Sequence, residues 1–316
     1  MESLFDSFAE LTNRAEGFVR AAKAESTLRA YRSDWDHFTR WCDHHNVCAL
    51  PTKAETVALY LTSLAATHRP ATMTRRLTAI TKAHQIAGQP SPATMKHAPV
   101  SETLKGIRRT LGTAQQTKVP LLTADVRRMI DALPDNLTGC RDRALLLLGF
   151  SGGFRRSELA ALDSEDIVEM DDGLVVKLRR SKTDPEGKGR DVGIPYGSCP
   201  ATCPVRAVAA WTTAAGISAA GPLFGGIDRH GNLGSVRLHK DSVGLIVKRA
   251  ARAAGLDPAL YAGHSLRAGL ATQAYLNGAG EFAIMRQTGH RSLEMVRRYI
   301  RDCSLFRENP AAKLGL

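Results

Sequence analysis

Aromatic side chains are scarce in this chain, at 6% of 316 residues. With a hydrophobic fraction of 43%, that composition reads as a water-soluble, helix-rich protein rather than one built on large aromatic layers. Long apolar runs are missing too. None approaches the ~20 residues that a membrane-spanning helix needs, so no membrane partner is expected. The six cysteines are scattered, which excludes a disulfide framework. Cys199 and Cys203 lie close together, but no second pair stands at a matching spacing to complete a zinc site, and two small buried thiols are the simpler expectation. Met1 is followed by Glu2 and Asp6, and no basic segment precedes an apolar run. A secretory signal is therefore not expected, and the expected location is the cytoplasm, with reduced thiols. There is no internal repeat and no low-complexity tract.

Positive charge is what the chain has in excess. Lys and Arg number 43 against 31 Asp and Glu, for a formal net charge of +12. Residues 1–118 carry 16 basic and 10 acidic side chains, so each half of the chain holds about half of the excess. A basic tail is excluded. A polyanion lying across both halves accounts for the even spread, and a basic protein with no particular partner accounts for it as well. The length suggests about two domains, each large enough for its own core.

Residues 1–111 read as a bundle of four or five helices. Phe5, Phe8, Leu11, Phe18 and Val19 recur at helical spacing. Ser26 is placed to cap a helix with Leu28, Tyr31, Trp35, Phe38 and Trp41 on one stripe. Thr52 and Glu55 have the spacing of a capping box before Val57, Leu59, Leu61 and Leu64. Pro70 opens a helix bearing Met73, Leu77, Ile80 and His84, with Arg75, Arg76 and Lys82 assigned to its exposed side. Gly88 to Pro92 stops it. A last helix carries Val100, Leu104, Ile107 and Leu111, with Lys105, Arg108 and Arg109 beside them. These six basic residues are candidates for contact with a nucleic-acid backbone; a solvated helix face is the plain alternative for each.

Residues 112–120, GTAQQTKVP, are polar and aperiodic and read as a linker. Beyond it, residues 121–316 form a second domain. An apolar helix, RDRALLLLG, ends at Ser151-Gly152-Gly153, a break suited to positive φ. FRRSELAAL begins a short helix near Arg155. Asp166–Met170 and Leu174–Leu178 read as strands joined by Asp171-Asp172-Gly173, with Asp191–Pro195 as a third after the loop RSKTDPEGKGR. The remainder reads as helices over about 203–215, 239–254, 264–277, 281–288 and 292–300, a loop at 221–236 and a short tail helix. The expected fold is mainly α with a small antiparallel sheet.

Several polar residues stand at telling spacings. His264 and Arg267 are three apart at a helix start, so both can face one anion near the positive end of the helix dipole. Arg155 and Glu158 repeat that spacing, and the carboxylate can orient the guanidinium. Arg156 points about 100° away on a helix, so one of the two arginines joins a site and the other does not. Lys182 sits in the loop between strands, His290 follows Gly289 in a turn, and Tyr299 lies near a helix end. Taken one at a time, each also fits an ordinary surface ion pair, hairpin tip or edge aromatic.

Taken in order, R-x-x-E, a hairpin Lys, H-x-x-R, G-H and a Tyr nine residues on, the set resembles the tyrosine recombinase (phage integrase) family. GGFRRSELAAL, RRSKTD, CPVRAVAAW, GPLF, GHSLRAGLAT and QTGHRSLEMVRRYI carry the resemblance over most of 120–305. Residues 1–111 are similar to the family's helical, SAM-like core-binding domain, and 121–316 to its α+β catalytic domain, in the two-domain layout of Cre-type enzymes. No further arm-binding domain is expected ahead of them. The resemblance implies a site-specific DNA recombinase. Tyr299 would attack the scissile phosphodiester and form a 3′-phosphotyrosyl link. Arg155 and Arg267 would hold the non-bridging oxygens, and Lys182 would protonate the leaving 5′-oxygen. His264 would act as base or proton carrier, Glu158 would orient Arg155 and His264, and His290 would hydrogen-bond the phosphate where many relatives have Trp. Neither metal nor ATP is implied as cofactor. Ala268 stands where many members have a second His, outside the catalytic set. The implied partner is double-stranded DNA, bound by a homotetramer on two sites at the nucleoid. The tail's Leu305, Phe306 and Leu314 are expected to dock on a neighbouring protomer. Two alternatives share the chemistry in part: a type IB topoisomerase-like strand transferase and an inactive DNA-binding homologue.

Overall fold

The computed structural model describes residues 14, 17–18, 22–113, 117–181, 184, 186–217, 220–304, 309, 311 and 314, without the side chains of 301–304. The chain divides into two compact units, Met1–Gln116 and Thr117–Leu316.

In the first unit four helices are described: α1 Glu25–His44, α2 Ala54–Leu64, α3 Pro70–Ile86 and α4 Ala98–Leu111. α1 packs on α3 and α2 on α4, with α3 touching α4. Phe38, Tyr60, Leu61, Met73 and Ile80 are fully buried at the centre, each contributing on the order of 1.5–3 kcal/mol of apolar burial. The stripe at Phe5, Phe8, Leu11 and Val19 lies outside the described residues, and Phe18 is exposed.

Two caps differ from expectation. α1 starts at Glu25 with no side-chain cap, so Ser26 lies inside the helix. The capping box of Thr52 and Glu55 is not formed, because α2 begins one residue later, after Lys53. The Thr52 N–H instead donates to His84 Nε2 at 3.2 Å. His84 can accept there because its Nδ1 faces the Ile80 carbonyl at 2.9 Å and must carry the ring proton.

Arg76 corrects a second expectation. It is buried, not on the exposed side of α3. It lies three residues after Met73 and four before Ile80, which is the period of the buried face. Its guanidinium donates to Tyr60 Oη at 2.9 Å and meets His37 Nδ1 at 2.9 Å and His68 Nε2 at 3.0 Å. The buried carboxylate of Asp34 lies 3.7 Å from Nε and balances the charge. Burial, and then the Arg76 cation, lower the pKa of both histidines.

The second unit is built around α6, Leu137–Gly152, which is longer than its apolar core suggested. Asn136 caps it by accepting the Gly139 N–H at 3.0 Å. Ala144 to Leu148 are all buried, as a helix without a polar face demands. α8 Pro204–Ala214 and α10 Gly263–Leu276 pack on α6, and α5 Thr123–Asp131 lies beside it. The short α7, Arg156–Ala161, packs on α9, Lys240–Ala253. Strands β1 Ile167–Met170, β2 Gly173–Leu178 and β3 Arg190–Pro195 form an antiparallel sheet in that order. β3 leans on α6. The region read as a loop at 221–236 contains a second hairpin, β4 Gly225–Ile227 with β5 Leu233–Arg237. Its strands are short and little buried, so no clear alternation marks them. α11 Glu281–Thr288 and α12 Leu293–Ser304 close the unit against α10. Cys203 is buried, but Cys199 is exposed, against the expectation of two buried thiols. Of the tail positions, Leu305 and Phe306 lie outside the described residues and Leu314 is exposed.

Candidate active site

The α6–α7 corner supplies the first part of the site. Gly153 ends α6 in the left-handed region, at φ 58° and ψ 33°, a conformation that favours glycine. The turn aims the Gly153 carbonyl at α10, where it accepts from Arg267 Nη1 at 2.7 Å. Two residues on, Arg155 stands at the N-cap of α7. The buried Glu158 carboxylate accepts its backbone N–H at 2.9 Å and its Nη1 at 2.5 Å. One carboxylate thus fixes both the main chain and the guanidinium of Arg155. Arg156 turns away and pairs with Asp241 at 3.1 Å on the surface.

α10 supplies His264 and Arg267. Its N-terminus is held by Ser265 Oγ, which accepts the Ala262 N–H at 3.0 Å. Arg267 is 1% exposed. Among the described residues its Nη2 has no protein partner, although a buried charged donor left unpaired costs about 1–3 kcal/mol or more. That donor is available to an anion.

α11 and α12 bring the remaining groups. Gly289, at φ 65° and ψ 42°, ends α11 in the left-handed region, and the chain turns at once into His290. Thr288 Oγ1 lies 2.7 Å from the Ile284 carbonyl and 2.6 Å from His290 Nδ1. With the Thr288 hydroxyl donating to Nδ1, the neutral ring carries its proton on Nε2 and can donate from there. Tyr299 is half-buried on α12, with its carbonyl held by Thr272 Oγ1 at 2.9 Å. Its hydroxyl lies 2.8 Å from His264 Nε2. The Tyr299 ring stands 5.5 Å from that of His264 and 5.3 Å from that of His290, centroid to centroid.

Electrostatics follow from three arginines around one carboxylate. Burial, then repulsion from Arg155, lowers the Arg267 pKa to about 10, so it stays charged at neutral pH. Desolvation and then the Arg267 and Arg155 cations push His264 down, and the same causes take His290 to about 3. Both imidazoles are therefore neutral near pH 7. A cluster of cations with neutral histidines between them is prepared for an anion.

The structure brings together six of the residues singled out in sequence: Arg155, Glu158, His264, Arg267, His290 and Tyr299. Lys182 lies outside the described residues; its neighbour Ser181 has Oγ 3.5 Å from Arg155 Nη1. Arg190 is a seventh group that the sequence reading passed over. It opens β3, and burial lowers its pKa, Glu158 and Arg155 acting in opposite senses beside it. A signal was present. Arg190, Val192 and Ile194 alternate along β3, with the two aliphatics buried, so the period of 2 puts a cation on the inner face of the strand.

The candidate backbone contacts in the first unit divide. Arg108 and Arg109 are exposed, and Arg108 lines an open groove with Arg69, Thr72 and Thr74. Arg75 is half-exposed and pairs with Asp34 at 2.8 Å. Lys105 lies 3.8 Å from Glu102, and Lys82 donates to Gln85 Oε1 at 2.7 Å. Arg76 does not face solvent.

This mostly helical fold with a small sheet is that of the tyrosine recombinases. It superposes on the site-specific recombinase XerH, solved bound to a palindromic difH substrate, with TM-score 0.61 and 17% identity over 84% of this chain and 72% of that one. A lambda integrase tetramer solved on a Holliday junction gives TM-score 0.61 and 17% identity over 94% and 78%. The chain belongs to the phage integrase family, whose profile matches residues 121–304. It is 40% identical over 303 residues to an integrase/recombinase xerD homolog of Selenomonas ruminantium, covering 95% of this chain and 88% of the relative. The protein is a site-specific recombinase of DNA. Among the described residues no helix is long and apolar enough to cross a membrane.

Proposed function

We propose that Tyr299 is the nucleophile of strand cleavage and that Arg155, Lys182, His264, Arg267 and His290 act on the scissile phosphate, with Glu158 orienting Arg155. The observation that carries this reading is the 2.8 Å contact between Tyr299 Oη and His264 Nε2, made beside the arginines. In the first step Tyr299 Oη attacks phosphorus and its proton passes to the neutral His264 Nε2. The bond from phosphorus to the 5′-oxygen breaks, and Lys182 gives that oxygen a proton. The 3′-phosphotyrosyl ester keeps the bond energy, and a 5′-hydroxyl of the partner strand reverses the step and joins the new strand.

The two guanidiniums oppose the charge that grows on the non-bridging oxygens. Removing one donor of this kind typically slows reaction by about 10²–10³. A lysine in place of either arginine would lose the paired, planar donors.

DNA lies across both units in this reading, as the even spread of charge suggests. The first unit, about residues 1–111, is the core-binding domain, 112–120 the linker and 121–316 the catalytic domain. Arg108 and Arg109 are its best-placed phosphate contacts in the first unit, with Arg75, Lys82 and Lys105 beside them. The working assembly is a homotetramer on two DNA sites, each tail docking on a neighbour, and the enzyme acts at the nucleoid. The tetrameric lambda integrase supports that assembly by fold alone.

A nicked suicide substrate tests the reading. The wild-type chain forms a covalent complex with it, and Tyr299→Phe binds the DNA without forming one. A covalent complex that survives Tyr299→Phe refutes the assignment.

A further inference from the structure

Arg190 does not sit where a surface cation would. Its side chain leaves the inner face of β3 and reaches the end of α11. There Nη1 donates to the Gln287 carbonyl at 3.0 Å and, at 3.5 Å, to that of Arg286, while Nη2 donates to the Thr288 carbonyl at 3.3 Å. These are the carbonyls that a helix C-terminus leaves without intrahelical partners, and a cation there also meets the negative end of the dipole.

A second clasp runs the other way. Gln287 Nε2 on α11 donates to the Gly193 carbonyl of β3 at 3.0 Å and to the Ser151 carbonyl of α6 at 3.2 Å. The end of α11 is therefore tied to β3 from both sides. The guanidinium also packs close against Gly289, the next residue. A Cβ on Gly289 would stand 2.7 Å from Arg190 Nε and 2.9 Å from its Cζ, so a side chain there would push the arginine out of its place. The chain then enters His290, whose Nδ1 is held by Thr288, the residue whose carbonyl Arg190 takes.

We infer that Arg190 is a positioning residue: its guanidinium clamps the carbonyls at the end of α11 and so holds His290 in register with the arginine pair. The inference rests on the reading of His290 as a phosphate ligand. The clamp reaches further than His290. β3 follows the loop that carries Lys182, and α12, which carries Tyr299, starts just after His290. One side chain thus links the strand following the acid's loop to the turn that opens toward the nucleophile's helix. Its charge acts as well. The groups that face His290 are Arg267 and His264 from α10, Arg155 from the turn before α7, Arg190 from β3 and Tyr299 from α12. Arg190 is one of the cations that keep the imidazole neutral.

The test compares Arg190→Gln, Arg190→Lys and His290→Ala in the full chain. The readouts are single-turnover cleavage of the suicide substrate, DNA affinity, and titration of the His290 ring by side-chain NMR. Arg190→Gln is expected to bind DNA normally and cleave about tenfold to hundredfold more slowly, the cost of a small misplacement, with the His290 titration moved up because a cation is gone. Arg190→Lys keeps the charge but not the fork. It is expected to cleave slowly with the His290 titration near its wild-type position. Wild-type cleavage by Arg190→Gln overturns the proposal, and so does slow cleavage by that same variant with an unmoved His290 titration, since that is a merely structural role. If His290→Ala itself cleaves at the wild-type rate, the reading of His290 as phosphate ligand fails instead.

Discussion

The neutral state of His290 makes the second unit sensitive to acid in a way that can be worked out. In the folded chain the ring has a pKa of about 3, against an ordinary value of 6.5. The unfolded chain therefore binds the proton first as pH falls. The stability that comes from keeping the ring neutral is fully present above pH ~6.5 and is lost on the way down to the folded value. Each pH unit across that window is worth about 1.4 kcal/mol. Between pH 7.5 and 5.5, allowing for partial titration at the upper end, the loss is about 1.4 kcal/mol. The ring is 6% exposed, so solvent screening takes little from this figure. Amide hydrogen exchange in α10, corrected for the intrinsic pH effect, reads the opening of the second unit without requiring both units to unfold together. The wild type should lose about 1.4 kcal/mol more protection over this range than His290→Gln. His264 has the same sign but is present in both chains and cancels. An equal pH dependence in the two proteins would sink the reasoning, because it would mean that His290 titrates normally in the fold.

Two shorter expectations follow from the same geometry. Glu158→Gln keeps the shape of the carboxylate but removes the anion that balances Arg155, and breaking such a buried pair should destabilise the second unit by about 3 kcal/mol, read as a lower urea midpoint. Arg108→Ala should weaken DNA binding and reduce the salt dependence of affinity by about one counterion, the mark of a lost phosphate contact; Arg76→Ala should leave that slope unchanged and lower the stability of the first unit, because its partners Asp34, His37, Tyr60 and His68 are buried or half-buried.

Residues whose role depends on spacing along one element were legible before the fold was known. His264 and Arg267 share a helix face because they are three apart, and Gly153 and Gly289 were marked by the breaks they make. The strands β1 and β2 were placed within a residue because Asp171-Asp172-Gly173 fixes their hairpin. What the sequence hid depends on partners far along the chain. Arg76 looked exposed because it is charged, yet its helical period put it inside, and only the return of Asp34, Tyr60, His37 and His68 from other segments makes that tolerable. Arg190 was hidden for the same reason. Its partners are main-chain carbonyls 96 to 98 residues away, and a carbonyl leaves no signature in the sequence.

The charge of the cage carries the argument one step further, on the proposed mechanism. Among the described groups, Arg155, Arg190 and Arg267 bring three positive charges, Glu158 one negative, and the histidines none at neutral pH. Before phosphate arrives the cluster is positive by two. A bound phosphodiester leaves one of these unopposed; when Tyr299 attacks, the phosphorane gains one more negative charge beside the arginines while the proton that Tyr299 gives up makes His264 cationic, so the site keeps its net charge and separates it. The arginines therefore face more negative charge in the transition state than in the substrate, which is the difference that accelerates a reaction. It also accounts for a cage that is costly when empty. The partnerless Nη2 of Arg267 and the lowered pKa values of Arg190, Arg267 and the two histidines come from burial first and from crowded cations second, and an anion among the arginines opposes the second cause. A second carboxylate beside Glu158 would relax the empty site and take away part of that difference.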